Sequence, residues 1–463
     1  MPDLPLPLTF RAEIIEPLVV SIRAGESCAL VGVGSSGKSN IVRFLRDRAD
    51  VRQYYFGADA RRLLWLMVDC NALDSYEEHS LYSAMIDSLA RAVAVAGQSD
   101  LGPLNAPLAD LYREAASPEL RAGAFRALSR AVEAVKAAGN FQFVFVLDDC
   151  DTLVEKAPPA LFRRLRALRD DSKYQLVYIT VSRRELQFLR PHSPEFESFY
   201  EIALLRSFAV GPYAEADARD MLDRLAARLP QPRPLEPLEA DRLIQATGGH
   251  PGMIKAAFFA SRAGELALAP DLNDILIGDS AVMDECRKIW DSLEPEDHAG
   301  LAAALQGKPV SGPAQGTLMA QGLIRERTDG THAVLCPPLE AYVARKIGVA
   351  AKPAAPPKGG VPVIEIFVST KLVRVDGREI NLRRVEFDLL CALCERQGHA
   401  CAREALREKV QIAEAHEPSG LGASADAVLD RAIVELKRKI EMPGVELIQS
   451  APGGGYKFTG VCS

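Results

Sequence analysis

Short apolar runs alternate with stretches of helical spacing over roughly the first 275 residues. The runs are Ser27–Val31, Leu63–Asp69, Phe143–Asp149 and Gln175–Val181, each long enough for one buried strand. Between them, apolar residues recur at three- and four-residue intervals after Asn40, from Leu81 to Val95, and from Glu119 to Ala138. Strand and helix in alternation predict an α/β fold with a largely parallel sheet. Phe208–Tyr213 reads as an edge strand and turn, followed by a helix from about Ala214 to Leu229. At Thr247-Gly-Gly-His-Pro-Gly252 one helical pattern stops and another begins; the glycines suit a C-cap and Pro251 the first turn of the next helix. From Met283 to Gly348 the pattern is helical, with Leu301, Leu305, Leu318 and Leu323 spaced for a small core. Gly322–Thr331 reads as a helix end and hairpin. Residues 349–360 (VAAKPAAPPKGG) have no apolar period and predict an extended linker. After it, Ile364–Phe367, Leu372–Val375 and Arg378–Asn381 alternate as short strands around Asp376-Gly377. Helical patterns follow at Val385–Leu390, Arg403–Val410 and Asp426–Ile440, then Val445–Ile448 and Gly453-Gly-Gly-Tyr-Lys-Phe458.

Composition narrows this little. A length of 463 residues with 48% hydrophobic and 25% charged content is that of a globular chain of about three domains. A net charge of −7 argues against coating nucleic acid by bulk charge, though one DNA-binding module inside an acidic chain remains compatible with it. The start, Met1-Pro-Asp-Leu-Pro5, lacks the basic and apolar segments of a signal peptide. No apolar run approaches the roughly 18 residues of a membrane span. The expectation is therefore a cytoplasmic protein with reduced thiols and no membrane partner. Cys391-Ala-Leu-Cys394 has C-x-x-C spacing, but it falls in an apolar helical pattern without a second ligand pair, which favours core packing over metal or redox chemistry. His79 and His192 stand without partners and read as surface residues.

The chemistry concentrates at Gly32-Val33-Gly34-Ser35-Ser36-Gly37-Lys38-Ser39, which fits G-x-x-x-x-G-K-[ST] between a strand and a helix. Glycines let successive backbone N–H groups turn towards phosphate oxygens, and the following helix N-terminus, from Lys38 through Asn40, adds positive potential. Lys38 is expected at the β- and γ-phosphates of ATP, and the Ser39 hydroxyl on Mg²⁺. The strand Phe143–Leu147 ends in Asp148-Asp149. Asp148 is the candidate for holding Mg²⁺ through its water shell, and Asp149 for orienting or deprotonating the attacking water. Asp151 extends the acidic cluster. Ser182 and Arg183, at the end of another strand, are candidates for sensing the γ-phosphate.

The order GVGSSGKS, VFVLDDCD, VYITVSR, TGGHPG resembles the STAND and Orc/Cdc6-like branch of AAA+ ATPases. The resemblance implies a helical lid after the nucleotide domain, with His250 and Pro251 lying against the nucleotide base, and Ser182 and Arg183 at the sensor-1 strand end. It further implies a winged-helix domain behind the lid that packs on the ATPase and gates it. Two departures matter: Asp149 stands where many AAA+ enzymes carry glutamate, and no arginine finger is assignable. Both suit a slowly hydrolysing, ATP-held switch better than a fast motor.

The last module resembles the winged helix-turn-helix effector domain of OmpR/PhoB-type response regulators, through its N-terminal strands, VEFDLL helix, LDRAIVELKRKI recognition helix and GGGYKF wing. No receiver domain accompanies it. The resemblance implies a helix in the major groove and a wing in the adjacent groove or on the backbone. Lys437, Arg438 and Lys439 are then candidates for phosphates, with Lys457 near the wing, and Arg431 for base edges. Ala451-Pro452 replaces the usual wing arginine, and Asp430 and Glu435 sit on the recognition helix.

The expected fold is a multidomain α/β chain: a P-loop NTPase core (1–212), a helical lid (213–282), a winged-helix domain (283–348), a linker (349–360) and an α+β OmpR-type winged helix-turn-helix (361–463). The expected function is an ATP- and Mg²⁺-dependent switch controlling a reader of double-stranded DNA. The alternative is an ATP-gated oligomerising sensor or scaffold, as in stress or anti-phage signalling, whose C-terminal winged helix docks protein. A helicase-loader or transposition ATPase ranks last.

Overall fold

The computed structural model describes residues 5–348 except 97, 99, 118–122, 192, 205 and 328. Beyond these it describes residues 363–367, 372–375, 378–380, 382–395, 400–416, 425–440, 447–451, 455–458 and 461–462. His192, the turn Asp376-Gly377, the expected linker and Pro452 lie outside the described residues. The chain divides into two compact units, Met1–Ala350 and Ala351–Ser463.

The first unit is built on a five-stranded sheet of β1 (Cys28–Val31), β2 (Leu63–Asp69), β3 (Gln142–Asp148), β4 (Leu176–Ser182) and β5 (Ser207–Ala209), ordered β2-β3-β4-β1-β5. Every pairing is parallel, so each connection is a crossover, and helices cover both faces. That explains the near-continuous apolar strands. Val144 and Val146 of β3 join Leu30, Val177, Ile179, Ile41 and Phe44 on one face, while Phe143, Phe145 and Leu147 join Leu66, Tyr178, Leu81, Met85 and Leu128 on the other. Alternate residues of one strand thus belong to two cores. The register aligns Asp69 with Asp148 and Val31 with Ser182, bringing the carboxyl ends of four strands to one rim, where open α/β sheets bind ligands.

Helices then follow at Glu215–Ala227, Pro237–Thr247, Pro251–Ala260, Leu272–Gly278 and Ser280–Trp290. The segment behind them runs helix Pro295–Leu305, helix Pro313–Ala320, an antiparallel hairpin of Ile324–Glu326 with His332–Val334, and helix Pro337–Lys346. Buried His332 accepts a hydrogen bond at Nδ1 from the Val310 N–H (3.1 Å), fixing the hairpin against this core.

In the second unit Val363–Phe367, Leu372–Val375 and Arg378–Ile380 form an antiparallel sheet that Val461–Cys462 extends by pairing parallel to Val363 and Ile364. Helices Arg384–Glu395, Arg403–His416 and Ala425–Ile440 follow, and the hairpin Ile448–Ser450 with Tyr456–Phe458 pairs with Ala400–Cys401. A Cβ on Gly455 would meet the Cys401 carbonyl oxygen at 2.2 Å, so this wing closes only on glycine. Cys391 and Cys394 pack against the apolar core, and no cluster of three or more metal-ligating side chains occurs among the described residues. Cys394 is disulfide-bonded, which corrects the expectation of reduced thiols throughout. No helix among the described residues is long and apolar enough to cross a membrane.

Candidate nucleotide site and candidate DNA-reading face

The loop 32–37 leaves β1 and turns into the helix Lys38–Asp47. Ser35 (φ 59°) and Gly37 (φ 91°) both take the left-handed conformation that so tight a reversal requires. Lys38 is buried, 6% exposed, and its ammonium donates to the Gly32 carbonyl (2.6 Å) and the Val33 carbonyl (3.0 Å). Burial pulls its pKa down to about 8 against the attraction of Asp151, Asp149 and Asp148. The Ser39 hydroxyl donates to Asp148 Oδ1 at 2.8 Å, and burial raises the Asp148 pKa against that bond. A hydroxyl and a carboxylate held this close at a strand end suit a hard divalent cation such as Mg²⁺.

Asp149 holds a left-handed backbone (φ 50°), and it and Arg183 line a cavity of about 1030 Å³ together with Gly34, Ser35, Gly37, Lys38, Ser39 and Asn40. Asp151 accepts the Arg183 N–H at 3.0 Å and so braces the end of β4. Ser182 is fully buried, and its hydroxyl donates to the Arg184 carbonyl (2.7 Å) rather than facing the cavity. Across from the loop the cavity is walled by Tyr213, Met221, Pro251, Lys255, Ala256 and Phe259. His250 is not part of that wall. It is buried and caps the helix Pro251–Ala260 by accepting the Met253 N–H at Nδ1 (3.4 Å). Burial lowers its pKa to about 4, so the ring is neutral at physiological pH.

Two groups of contacts were not legible in the sequence. Arg11, buried and left-handed (φ 50°), donates to the carbonyls of Ser36 (2.9 Å), Gly211 (2.6 Å) and Pro212 (2.7 Å). Its own N–H bonds Asp217, so one arginine links the loop, the exit of β5 and the helix after it. The second group comes from the helix Ser280–Trp290 and the turn beyond it. The Gly34 N–H donates to Ser292 Oγ (3.0 Å), and the Ser292 hydroxyl donates to the Lys288 carbonyl (2.6 Å). Lys288 pairs with Glu285 Oε1 (2.6 Å), while Glu285 Oε2 is buried without a partner. A Cβ on Gly252 would meet that oxygen at 2.2 Å and Ser35 Cβ at 2.6 Å, so the carboxylate, the loop and the helix Pro251–Ala260 converge there. Arg184 bonds Glu294 (2.8 Å), joining the end of β4 to the same segment.

In the second unit the helix Ala425–Ile440 buries Leu429, Ala432, Ile433, Leu436 and Ile440. Arg431, Val434 and Arg438 are exposed on the opposite side. The other charges are engaged. Asp430 accepts two bonds from Arg403 (2.8 and 2.7 Å) and one from the Tyr456 hydroxyl (3.2 Å). Lys439 donates to buried Glu386 at 2.6 Å, with Arg383 as that carboxylate's second cation (2.8 Å), and these bonds hold the Glu386 pKa down against its burial. Arg438 pairs with Glu435 (2.9 Å). Lys437 and Lys457 are half-buried.

No curated protein matches the chain. Among solved structures it is similar to a Walker-type ATPase of Pyrococcus abyssi (14% identity, 74% of this chain and 99% of that one, TM-score 0.43). It is likewise similar to ORC2 of Aeropyrum pernix (12%, 75% and 96%, TM-score 0.40) and to Cdc6p of Pyrobaculum aerophilum (13%, 75% and 97%, TM-score 0.38). The P-loop fold of the first unit rests on its own parallel sheet, loop and strand ends. The second unit is matched in sequence: residues 377–458 carry the domain described as transcriptional regulatory protein, C terminal.

Proposed function

We propose that this chain is a STAND-like, ATP-binding and slowly hydrolysing switch that controls DNA binding by its C-terminal domain. The observation that carries the reading is the Gly34 N–H. In a phosphate-binding loop such a donor faces the ligand, yet here it is given to Ser292, near the unpartnered, buried Oε2 of Glu285. Phosphate oxygens and the 280–292 segment therefore compete for one loop. An anion entering it meets Glu285 unless the segment moves, so occupancy and conformation are coupled. Lys38 would exchange the Gly32 and Val33 carbonyls for phosphate oxygens. Ser39 and Asp148 would hold Mg²⁺, which would supply positive charge against the phosphates. Asp149 would orient water, and Arg183 would face the terminal phosphate. Tyr213, Pro251 and Phe259 would enclose the base.

In this reading residues 1–212 are the ATPase core, 213–282 the lid, 283–348 the gating winged helix, 349–360 the linker and 361–463 the reader of double-stranded DNA, working in the cytoplasm. The test is fluorescence anisotropy of the full chain on duplex DNA across a salt series, without nucleotide and with a non-hydrolysable ATP analogue. Affinity falling linearly in log–log salt, with a nucleotide-dependent offset, is the expected result. Equal curves with and without nucleotide would remove the switch. The engagement of Lys439 and Arg438 by Glu386 and Glu435 favours one second reading, an ATP-gated oligomer whose C-terminal domain docks protein. An ATP-dependent oligomer that binds no duplex would select it.

A further inference from the structure

The exposed side of the helix Ala425–Ile440 carries an apolar residue where charge would be cheaper. Val434 is 62% exposed, and Val434 lies one turn from Arg431 on one side and from Arg438 on the other. An exposed valine is ordinary on a protein surface; its neighbours make this one informative. Asp430, which could accept from a cytosine amino group, is held by Arg403 and Tyr456. Arg438 is paired with Glu435. Arg431 is exposed and makes no ion pair among the described residues. Arg431 and Val434 thus stand one turn apart on the exposed side, one a planar bidentate donor and one a pair of methyl groups.

We infer that Val434 reads the 5-methyl group of a thymine, and that Arg431 reads a guanine on a neighbouring base pair. The inference rests on the DNA-binding reading above and adds the base preference. In the major groove only thymine presents a methyl group, and guanine presents the O6/N7 acceptor pair that suits arginine. Residues three apart on a helix are separated by about 4.5 Å along its axis, a distance of the order of one base step of about 3.4 Å, which suits two contacts to neighbouring pairs. Charge supports DNA as the occupant. The valine is flanked by two arginines, and the acids on this helix are internally paired.

The test starts from duplexes enriched by the full-length protein from a randomised pool. The enriched site is expected to hold a G·C pair beside an A·T pair. Replacing that thymine by deoxyuridine removes one methyl group and is expected to weaken wild-type binding about fourfold, the worth of one buried methyl. Val434→Ala is expected to bind the thymine and deoxyuridine duplexes equally, with unchanged melting temperature. Arg431→Ala is expected to lose about tenfold or more and its guanine preference. A deoxyuridine effect of the same size in wild type and Val434→Ala, or none in wild type, overturns the inference while DNA binding stands. Failure to enrich or bind any duplex at low salt overturns the DNA-binding reading, and this inference with it.

Discussion

The loop at residues 32–39 and the helix Ala425–Ile440 hold their ionisable groups in opposite ways. At the loop the charges lie inside. Lys38 is 6% exposed on backbone carbonyls, Asp148 is buried against Ser39, and burial shifts both. On the helix the cations lie outside, and their neighbours decide which remain available. A loop that binds through backbone N–H groups needs little beyond the right glycines, so its letters carry its geometry. A helix that reads through side chains depends on what each side chain already holds, and Lys439 on buried Glu386 illustrates the point.

The largest effect expected is at the loop. Lys38→Ala should weaken ATP by a hundredfold or more, since charge-assisted hydrogen bonds contribute about 1.5–3 kcal/mol each. DNA affinity without nucleotide should be unchanged; calorimetric titration with ATP checks the first and anisotropy the second. Unaltered ATP affinity would dissolve the comparison. Next in size, Lys439→Met should destabilise the C-terminal unit by about 2 kcal/mol, because Glu386 stays buried with only Arg383. The DNA salt slope should stay the same, and urea unfolding with the salt series separates these outcomes. A reduced slope at full stability would return Lys439 to the phosphates. Glu285→Gln removes the negative charge whose Oε2 faces the loop and should tighten ATP about tenfold, read by the same titration. Weaker binding would instead make Glu285 part of the nucleotide site.

The smallest effect concerns pH. With its pKa lowered to about 8, Lys38 loses its charge as pH rises through that value, and bound phosphate pulls the pKa back up. ATP affinity should therefore decline by a few-fold from pH 7.5 to 9, with proton uptake on binding. The stability sign is opposite. Between pH 8 and the ordinary lysine range the unfolded chain binds more protons, so this group adds stability as pH rises.

Much of the first unit was legible because parallel strands buried on both faces are apolar throughout and the phosphate loop has a fixed spacing. Ser182 illustrates the limit. Its place at the end of β4 follows from the apolar run, but its hydroxyl turns to Arg184, a choice made by loop geometry. The linkage of Arg11 to Ser36 and Pro212, and of Ser292 to Gly34, joins residues up to 258 apart. Nothing in the local pattern distinguishes either residue from its neighbours. Val434 was likewise one more apolar letter in a helical stretch, and only the packing of Leu429, Ile433 and Leu436 turned it outward.

The sequence by itself determined the strand and helix alternation, the phosphate loop with its carboxylates, and the C-terminal family. Each of these rests on periodicity or spacing within a few turns of chain. The tertiary structure alone decided who faces whom: His250 buried as a cap, Glu285 and Ser292 on the loop, Lys439 on Glu386. Those pairings depend on desolvation and on contacts between distant segments, and such contacts come into being only when the cores close.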